Sequence, residues 1–230
     1  MPKYQILLFD ADNTLFDFYR AEREALLDAL QALEIPRAPD MVAVYSAIND
    51  GLWKKLERGE VTKDALRVQR FRDFFAHYGI DANAERMAKA YTDFLAQKGH
   101  LMPEALEVCG ELAGHCDMYI ITNGISTVQR SRFEGSPLRK FFKDLFISEE
   151  LGFEKPRREY FDAVAAAIPD YKSKNALVIG DSLSSDMQGG ANAGLDICWY
   201  NPGAKPAPDH LKITYTVKNL GEVIPLVLGK

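Results

Sequence analysis

Ile6-Leu7-Leu8-Phe9-Asp10-Ala11-Asp12-Asn13-Thr14 is the stretch that decides the fold. A short apolar run of this kind reads as a buried strand. It ends in two carboxylates spaced i, i+2, and then a threonine. Residues i and i+2 of a strand point to the same side, so the two carboxylates would repel each other there. A positive group between them, a metal ion or a lysine, would hold them at one strand tip. Taken alone, the stretch reads equally well as a strand followed by turn and helix-capping aspartates.

Three segments further along carry related patterns. Tyr119-Ile120-Ile121-Thr122-Asn123-Gly124 is an apolar strand running into a hydroxyl and an Asn-Gly turn. By itself it marks only a tight turn. Glu154-Lys155-Pro156 sets a lysine beside a proline-fixed bend, and alone it reads as a surface lysine. Leu177-Val178-Ile179-Gly180-Asp181-Ser182 is another buried strand running into Gly-Asp, with Ser185-Asp186 close behind. Each signal is modest alone. The information lies in their order and in three of them falling at strand ends.

Strand patterns occupy residues 5–9, 118–121, 145–147, 176–179, 197–199 and 214–217, and helical patterns separate the last five. Such alternation predicts a parallel sheet covered on both faces. Ligands of these sheets bind at the carboxyl ends of the strands, where Asp10, Thr122 and Asp181 all lie. Between residues 17 and 97 no strand pattern occurs. Leu26, Leu27, Leu30 and Leu33 repeat at helical spacing. Leu66, Phe71, Phe74, Phe75 and Tyr78 do so again, with Gly79 as a stop. Met87, Tyr91, Phe94 and Leu95 form a further amphipathic segment ending near Gly99. The expected fold is therefore α/β, a Rossmann-like parallel sheet with an inserted all-helical domain. The expected boundaries are 1–16 and 98–230 for the α/β core and 17–97 for the insert, with hinges near residues 16–18 and 97–102.

A chain of 230 residues with 47% hydrophobic content can bury one large domain, or one domain plus an insert. The net charge of −5 argues against a nucleic-acid polymer as partner, because such footprints are basic. Small anionic substrates stay open, since local charge can differ from the total. Only four consecutive apolar residues follow Lys3, too few for a signal peptide or a membrane span, so a cytoplasmic protein without membrane association is expected. The three cysteines, Cys109, Cys116 and Cys198, fit no metal spacing and read as buried apolar residues in a reducing compartment.

The four segments, in this order, resemble the haloacid dehalogenase-like phosphohydrolase superfamily. Its pattern is DxDx[TV], a strand ending in Thr or Ser, a Lys before Pro, and GDxxxxD. Here these are Asp10-Ala11-Asp12-Asn13-Thr14, Thr122, Lys155-Pro156, and Gly180-Asp181-Ser182-Leu183-Ser184-Ser185-Asp186. They are unsubstituted and span nearly the whole chain. The resemblance makes the insert a helical cap domain. It makes Asp10 the nucleophile that forms an aspartyl-phosphate, and Asp12 the acid that protonates the leaving alkoxide and then the base that activates water. A carboxylate at the Asp12 position separates phosphatases from dehalogenases, which lack it. The resemblance also implies that the Thr122 hydroxyl and the Asn123 amide hold phosphate oxygens, and that Lys155 neutralises Asp10 and the phosphate together. Mg²⁺, with Mn²⁺ as a substitute, would be bound by the Asp10 and Asp181 carboxylates and the Asp12 carbonyl. Asp186 and Thr14 would stand behind these groups, Asp186 either reaching the metal through water or orienting Lys155.

Phe9 to Phe16, Ile121 to Gly124, Ile147-Ser148-Glu149-Glu150-Leu151-Gly152, Gly189 to Leu195 and Cys198-Trp199 look most like the bacterial pyrimidine 5′-nucleotidases. That likeness implies a small-molecule phosphomonoester substrate, a pyrimidine nucleoside 5′-monophosphate, and a monomer or homodimer. A sugar-phosphate or phosphoglycolate phosphatase, or a phosphomutase, would carry the same motifs. A non-catalytic protein on this fold would have lost a charged motif residue, and none is lost. Phe16, Phe18 and Trp53 are candidates for substrate contact. Trp53 either stacks on a base or packs in the helical core with Leu56. Lys54 and Arg58 read as a solvated face.

Overall fold

The apolar runs become strands because each is buried on both faces of one sheet. In the computed structural model, which describes residues 2–229, these are β1 (Ile6–Asp10), β2 (Asp117–Thr122), β3 (Phe142–Ile147), β4 (Ala176–Gly180), β5 (Asp196–Tyr200) and β6 (Tyr215–Val217). They pair in the order β3-β2-β1-β4-β5-β6, every pair parallel. β1 is central, which is why its sequence is continuously apolar rather than alternating. β3 begins three residues before its apolar run suggests. Lys143 and Asp144 enter it at a register shift on an edge strand, where exposed polar residues are tolerated.

The chain divides into two compact units. Phe18–Lys98 forms one. It holds four helices, α1 (Phe18–Ala32), α2 (Met41–Glu57), α3 (Lys63–Tyr78) and α4 (Ala84–Leu95). Helix starts are chemically marked. Thr62 Oγ1 accepts from the Ala65 amide at 3.2 Å, and Asn83 Oδ1 accepts from the Arg86 amide at 2.7 Å. α3 stops at Gly79, as its pattern predicts. Tyr45, Phe71, Phe74 and Tyr91 pack ring on ring at centroid separations of 5.2 to 5.8 Å. A buried polar chain runs beside them. Glu22 accepts from Ser46 and from Asn49 Nδ2, and Asn49 Oδ1 accepts from Arg70 Nη1. Buried polar atoms persist in such places because they bond one another. Trp53 is half-buried against Leu52, Leu56 and Leu66, so its surroundings match the packing alternative. Phe18 opens α1 and is half-buried.

The other unit carries the sheet and α5 (Ala105–Leu112), α6 (Ser126–Glu134), α7 (Ser148–Leu151), α8 (Arg158–Ala167), α9 (Gln188–Asn192) and α10 (Val223–Leu228). Alternate strand residues feed two cores. Leu7, Phe9, Ile120 and Ile179 meet Val108, Leu112 and Val223 on one face. Leu8, Ile121, Val178 and Ile197 meet Tyr160, Phe161 and Val164 on the other. The three cysteines are buried and unbridged. Among the described residues no helix is long and apolar enough to cross a membrane.

Candidate active site

Sheet order sets the position of the site. β2 and β3 extend from β1 on one side, and β4 to β6 on the other. Chain crossovers therefore diverge beside β1, the place where open α/β sheets leave a crevice at their carboxyl ends. Asp10 is the last residue of β1, Thr122 the last of β2, and Asp181 follows β4 directly.

After Asp10 the chain turns tightly. The Leu15 and Phe16 amides donate to Ala11 O at 3.0 and 2.8 Å, and Asn13 takes φ 60°, a conformation asparagine tolerates. Phe16 is 1% exposed and belongs to the apolar core of the sheet unit. Its candidacy as a substrate contact is therefore corrected: the turn drives this ring inward instead of leaving it on a wall. Thr14 is also fully buried, and its hydroxyl has no hydrogen-bond partner among the described residues.

Lys155 is the hub. It is 1% exposed, and its ammonium donates to Asp10 Oδ1 at 2.7 Å, Asp186 Oδ1 at 2.6 Å and Ile121 O at 3.0 Å. All three of its protons are thereby used. Its backbone is gripped by the Asn123 side chain, which accepts from the Lys155 amide at 2.9 Å and donates to Lys155 O at 2.8 Å. Sequence reasoning gave Asn123 only a phosphate-facing amide and missed this grip. Pro156 follows through a cis peptide bond, and its carbonyl accepts from Asn192 Nδ2 at 3.0 Å. Asp186 is completely buried in a π-helical turn (Leu183–Met187), a form often found at functional sites. Its other oxygen accepts from the Ser182 amide at 3.0 Å. Asp186 pairs directly with Lys155 at 2.6 Å.

Asp186 reaches Lys155 by crossing Gly180. A Cβ on Gly180 would lie 2.3 Å from Asp186 Oδ2 and 2.8 Å from its Cβ. Gly180→Ala is therefore expected to displace Asp186, cut activity by roughly tenfold or more and lower the melting temperature, because overpacking costs about 1–3 kcal/mol. Steady-state rates and thermal melts of the variant check this. Unchanged values on both would mean that Asp186 need not sit there.

The carboxylates of Asp10, Asp181 and Asp186 present oxygens within 4.8 Å of one another. Three carboxylates face one ammonium, so the cluster holds excess negative charge. Burial pushes the Asp10 carboxyl well above the usual carboxylate range, Asp186 adds to this, and Lys155 opposes it. Burial and then the Asp186 charge push Asp181 up to about 7. Burial alone would lower Lys155, but Asp10 and Asp186 outweigh it and raise its pKa. A compact, oxygen-only, over-negative donor set fits a hard divalent cation. Asp181 is fixed from behind by Trp199, whose Nε1 donates to the Asp181 carbonyl at 2.9 Å.

Thr122 is 1% exposed. Its amide donates to the Tyr160 hydroxyl at 3.0 Å, and that hydroxyl donates to Phe146 O at 2.9 Å. Its own Oγ1 accepts from the Gly124 amide at 3.0 Å, which leaves the hydroxyl proton to donate. Asp12 lies outside the carboxylate cluster and has partners that sequence reasoning missed. Gln129 Nε2 donates to Asp12 Oδ2 at 2.6 Å, and Arg132 pairs with Asp12 Oδ1. The available sign was two polar residues at i, i+3 on α6, on the side where Val128 and Phe133 are also buried.

A doubly wound parallel sheet with a carboxylate and lysine centre at its strand tips is a Rossmann-like framework for hydrolysis. The chain belongs to the haloacid dehalogenase-like hydrolases, whose family profile matches residues 4–194, in agreement with the resemblance carried by the four motifs. It is 41% identical to the HAD-hydrolase YfnB of Bacillus subtilis. The magnesium-bound crystal structure of YfnB superposes with a TM-score of 0.92, covering 96% of this chain and 97% of that one. Pyrimidine 5′-nucleotidase PynA of Streptococcus pneumoniae is 35% identical, over 96% of this chain and 94% of its own. Pyrimidine 5′-nucleotidase YjjG of Escherichia coli is 31% identical over 98% of both.

Proposed function

We propose that this hydrolase is a divalent-cation-dependent phosphomonoesterase that cleaves pyrimidine nucleoside 5′-monophosphates. The observation that carries the reading is Asp10 itself, a buried strand-tip carboxylate held by Lys155 at 2.7 Å with a second carboxylate two residues on. Lys155 engages Oδ1, so we assign Oδ2 as the nucleophile. It bonds to phosphorus while the ester P–O bond breaks, and Asp12 gives its proton to the departing alkoxide. In the second step Asp12 takes a proton from water, the water oxygen bonds to phosphorus, and the Asp10–phosphorus bond breaks. Thr122 Oγ and the Asn123 amide bind phosphoryl oxygens. Asp10, Asp181 and the Asp12 carbonyl would hold Mg²⁺, or Mn²⁺ in its place, with Asp186 beside them. That ion would supply charge neutralisation to the phosphoryl group.

Nucleotide preference rests on the likeness to PynA and YjjG. The test is one enzyme preparation with Mg²⁺ assayed on dUMP, dTMP, dAMP, phosphoglycolate and glucose phosphates. Pyrimidine nucleotides are expected to give the highest kcat/KM. A clear preference for phosphoglycolate or a sugar phosphate would replace the nucleotidase reading and leave the phosphatase reading standing.

Asp12→Ala is expected to lose far more activity on a nucleotide than on p-nitrophenyl phosphate. A nucleoside 5′-alkoxide needs a proton as it leaves, while nitrophenolate needs little help, and general acid catalysis is worth roughly 10²–10⁴-fold. Equal losses on the two esters would remove Asp12 from the proton-transfer role.

A further inference from the structure

We infer that Arg132 and Gln129 form a clamp that positions the Asp12 carboxylate, and that this clamp governs how well the enzyme expels poor leaving groups. The inference rests on the acid–base role proposed above for Asp12.

The three side chains close a ring. Arg132 Nη2 pairs with Asp12 Oδ1 and also donates to Gln129 Oε1 at 2.8 Å, while Gln129 Nε2 donates to Asp12 Oδ2 at 2.6 Å. Each carboxylate oxygen therefore has its own donor, and the two donors are tied together. Gln129 and Arg132 stand one turn apart on α6, so the helix backbone fixes their spacing.

The clamp is set in an apolar place. The Arg132 side chain is fully buried, with its guanidinium 5.2 Å from the centre of the Phe16 ring. Its Nε and Nη1 have no hydrogen-bond partner among the described residues. Burying a guanidinium that makes so few bonds costs stability, and apolar residues usually fill such positions at least as well. Its charge is met by Asp12, and holding that carboxylate is the role this pairing gives it. Gly124 adds an independent sign. A Cβ there would lie 2.0 Å from Gln129 Nε2, so the bare glycine leaves the path by which Gln129 reaches Asp12.

Asp12 keeps a quarter of its side-chain surface exposed. One face of the carboxylate is pinned and the other is open. A carboxylate offers about four lone-pair positions, and the clamp takes two of them. The rest stay available to exchange a proton with the ester oxygen or with water. Positioning matters here because a reacting group misplaced by about 1 Å loses roughly 10²-fold.

The experiment measures kcat and KM for Arg132→Met, Arg132→Lys and Gln129→Leu on two esters with Mg²⁺. One ester is the best alkyl phosphate of the panel above and the other is p-nitrophenyl phosphate. The Arg132→Met change is also placed in an Asp12→Ala background. Arg132→Met is expected to lower kcat on the alkyl ester by roughly a hundredfold and on the aryl ester by less than about tenfold, with KM little changed. Arg132→Lys should recover part of the loss, and Arg132→Met should cost nothing further once Asp12 is gone. Gln129→Leu removes no charge and should show the same bias on a smaller scale, which keeps the test open if Arg132→Met does not fold. Equal losses on both esters, or full additivity with Asp12→Ala, would overturn the clamp. A wild-type enzyme that cleaves neither ester would overturn the phosphatase reading, and the clamp with it, before any variant is compared.

Discussion

Asp10→Asn is expected to lower turnover by about a thousandfold or more while leaving the protein folded. The amide keeps the shape of the side chain but is a poor nucleophile and a poor metal ligand. The surroundings explain why folding should survive. Lys155 would keep Asp186 at 2.6 Å and Ile121 O at 3.0 Å, so its charge would not be left unpaired. Asp10 is also one carboxylate too many in a buried place, with its pKa pushed up first by burial and then by Asp186. A neutral amide relieves both the burial of charge and the repulsion from Asp186, so in metal-free buffer the melting temperature should hold or rise. Initial rates on the best ester, together with thermal melts, provide the check. Turnover within about tenfold of wild type would remove Asp10 from the nucleophile role. A large fall in melting temperature would show that its contribution is structural.

How much of this was readable in the sequence depends on the distance over which each feature is encoded. Each strand and the residue at its tip lie within one short run, so period and punctuation reveal them. The four motifs are such runs, and their order gave the family before any contact was visible. The Asp12 clamp lies outside that reach. Gln129 and Arg132 are 117 and 120 residues from Asp12, and their i, i+3 spacing on α6 marks them as a pair without naming Asp12 as the partner. The grip of Asn123 on Lys155 spans 32 residues and is hidden for the same reason. Phe16 failed for a different cause. An aromatic residue beside a chain crossing can face out or in, and the tight turn from Ala11 sends this one into the core. The start of β3 was missed because a register shift on an edge strand admits Lys143 and Asp144 into what is otherwise an apolar pattern.

Chelation of divalent ions by EDTA is expected to silence the enzyme, and Mg²⁺ or Mn²⁺ to restore it. The charge count makes the case. Asp10, Asp181 and Asp186 bring oxygens within 4.8 Å, and the ammonium that faces them has spent its three protons. Two like charges about 4 Å apart near a protein surface cost roughly 4 kcal/mol. Without a cation the cluster can relieve that cost only by taking up protons, and the Asp181 carboxyl is accordingly pushed up to about 7. The sign of the pH effect follows from linkage. A carboxyl with a folded pKa above its unfolded value binds more protons in the native state, so metal-free stability falls as pH rises from about 4 to about 7. Mg²⁺ bound at these carboxylates would take the place of those protons. The rise in melting temperature on adding Mg²⁺ should therefore be larger at about pH 8 than at about pH 5, and Asp181→Asn should remove most of it. Melting curves with and without Mg²⁺ at the two pH values, beside activity assays after EDTA dialysis, test both halves. Full turnover in a metal-free preparation would exclude a cation from the reaction. An Mg²⁺ shift that ignores pH and survives Asp181→Asn would place the ion away from these three carboxylates.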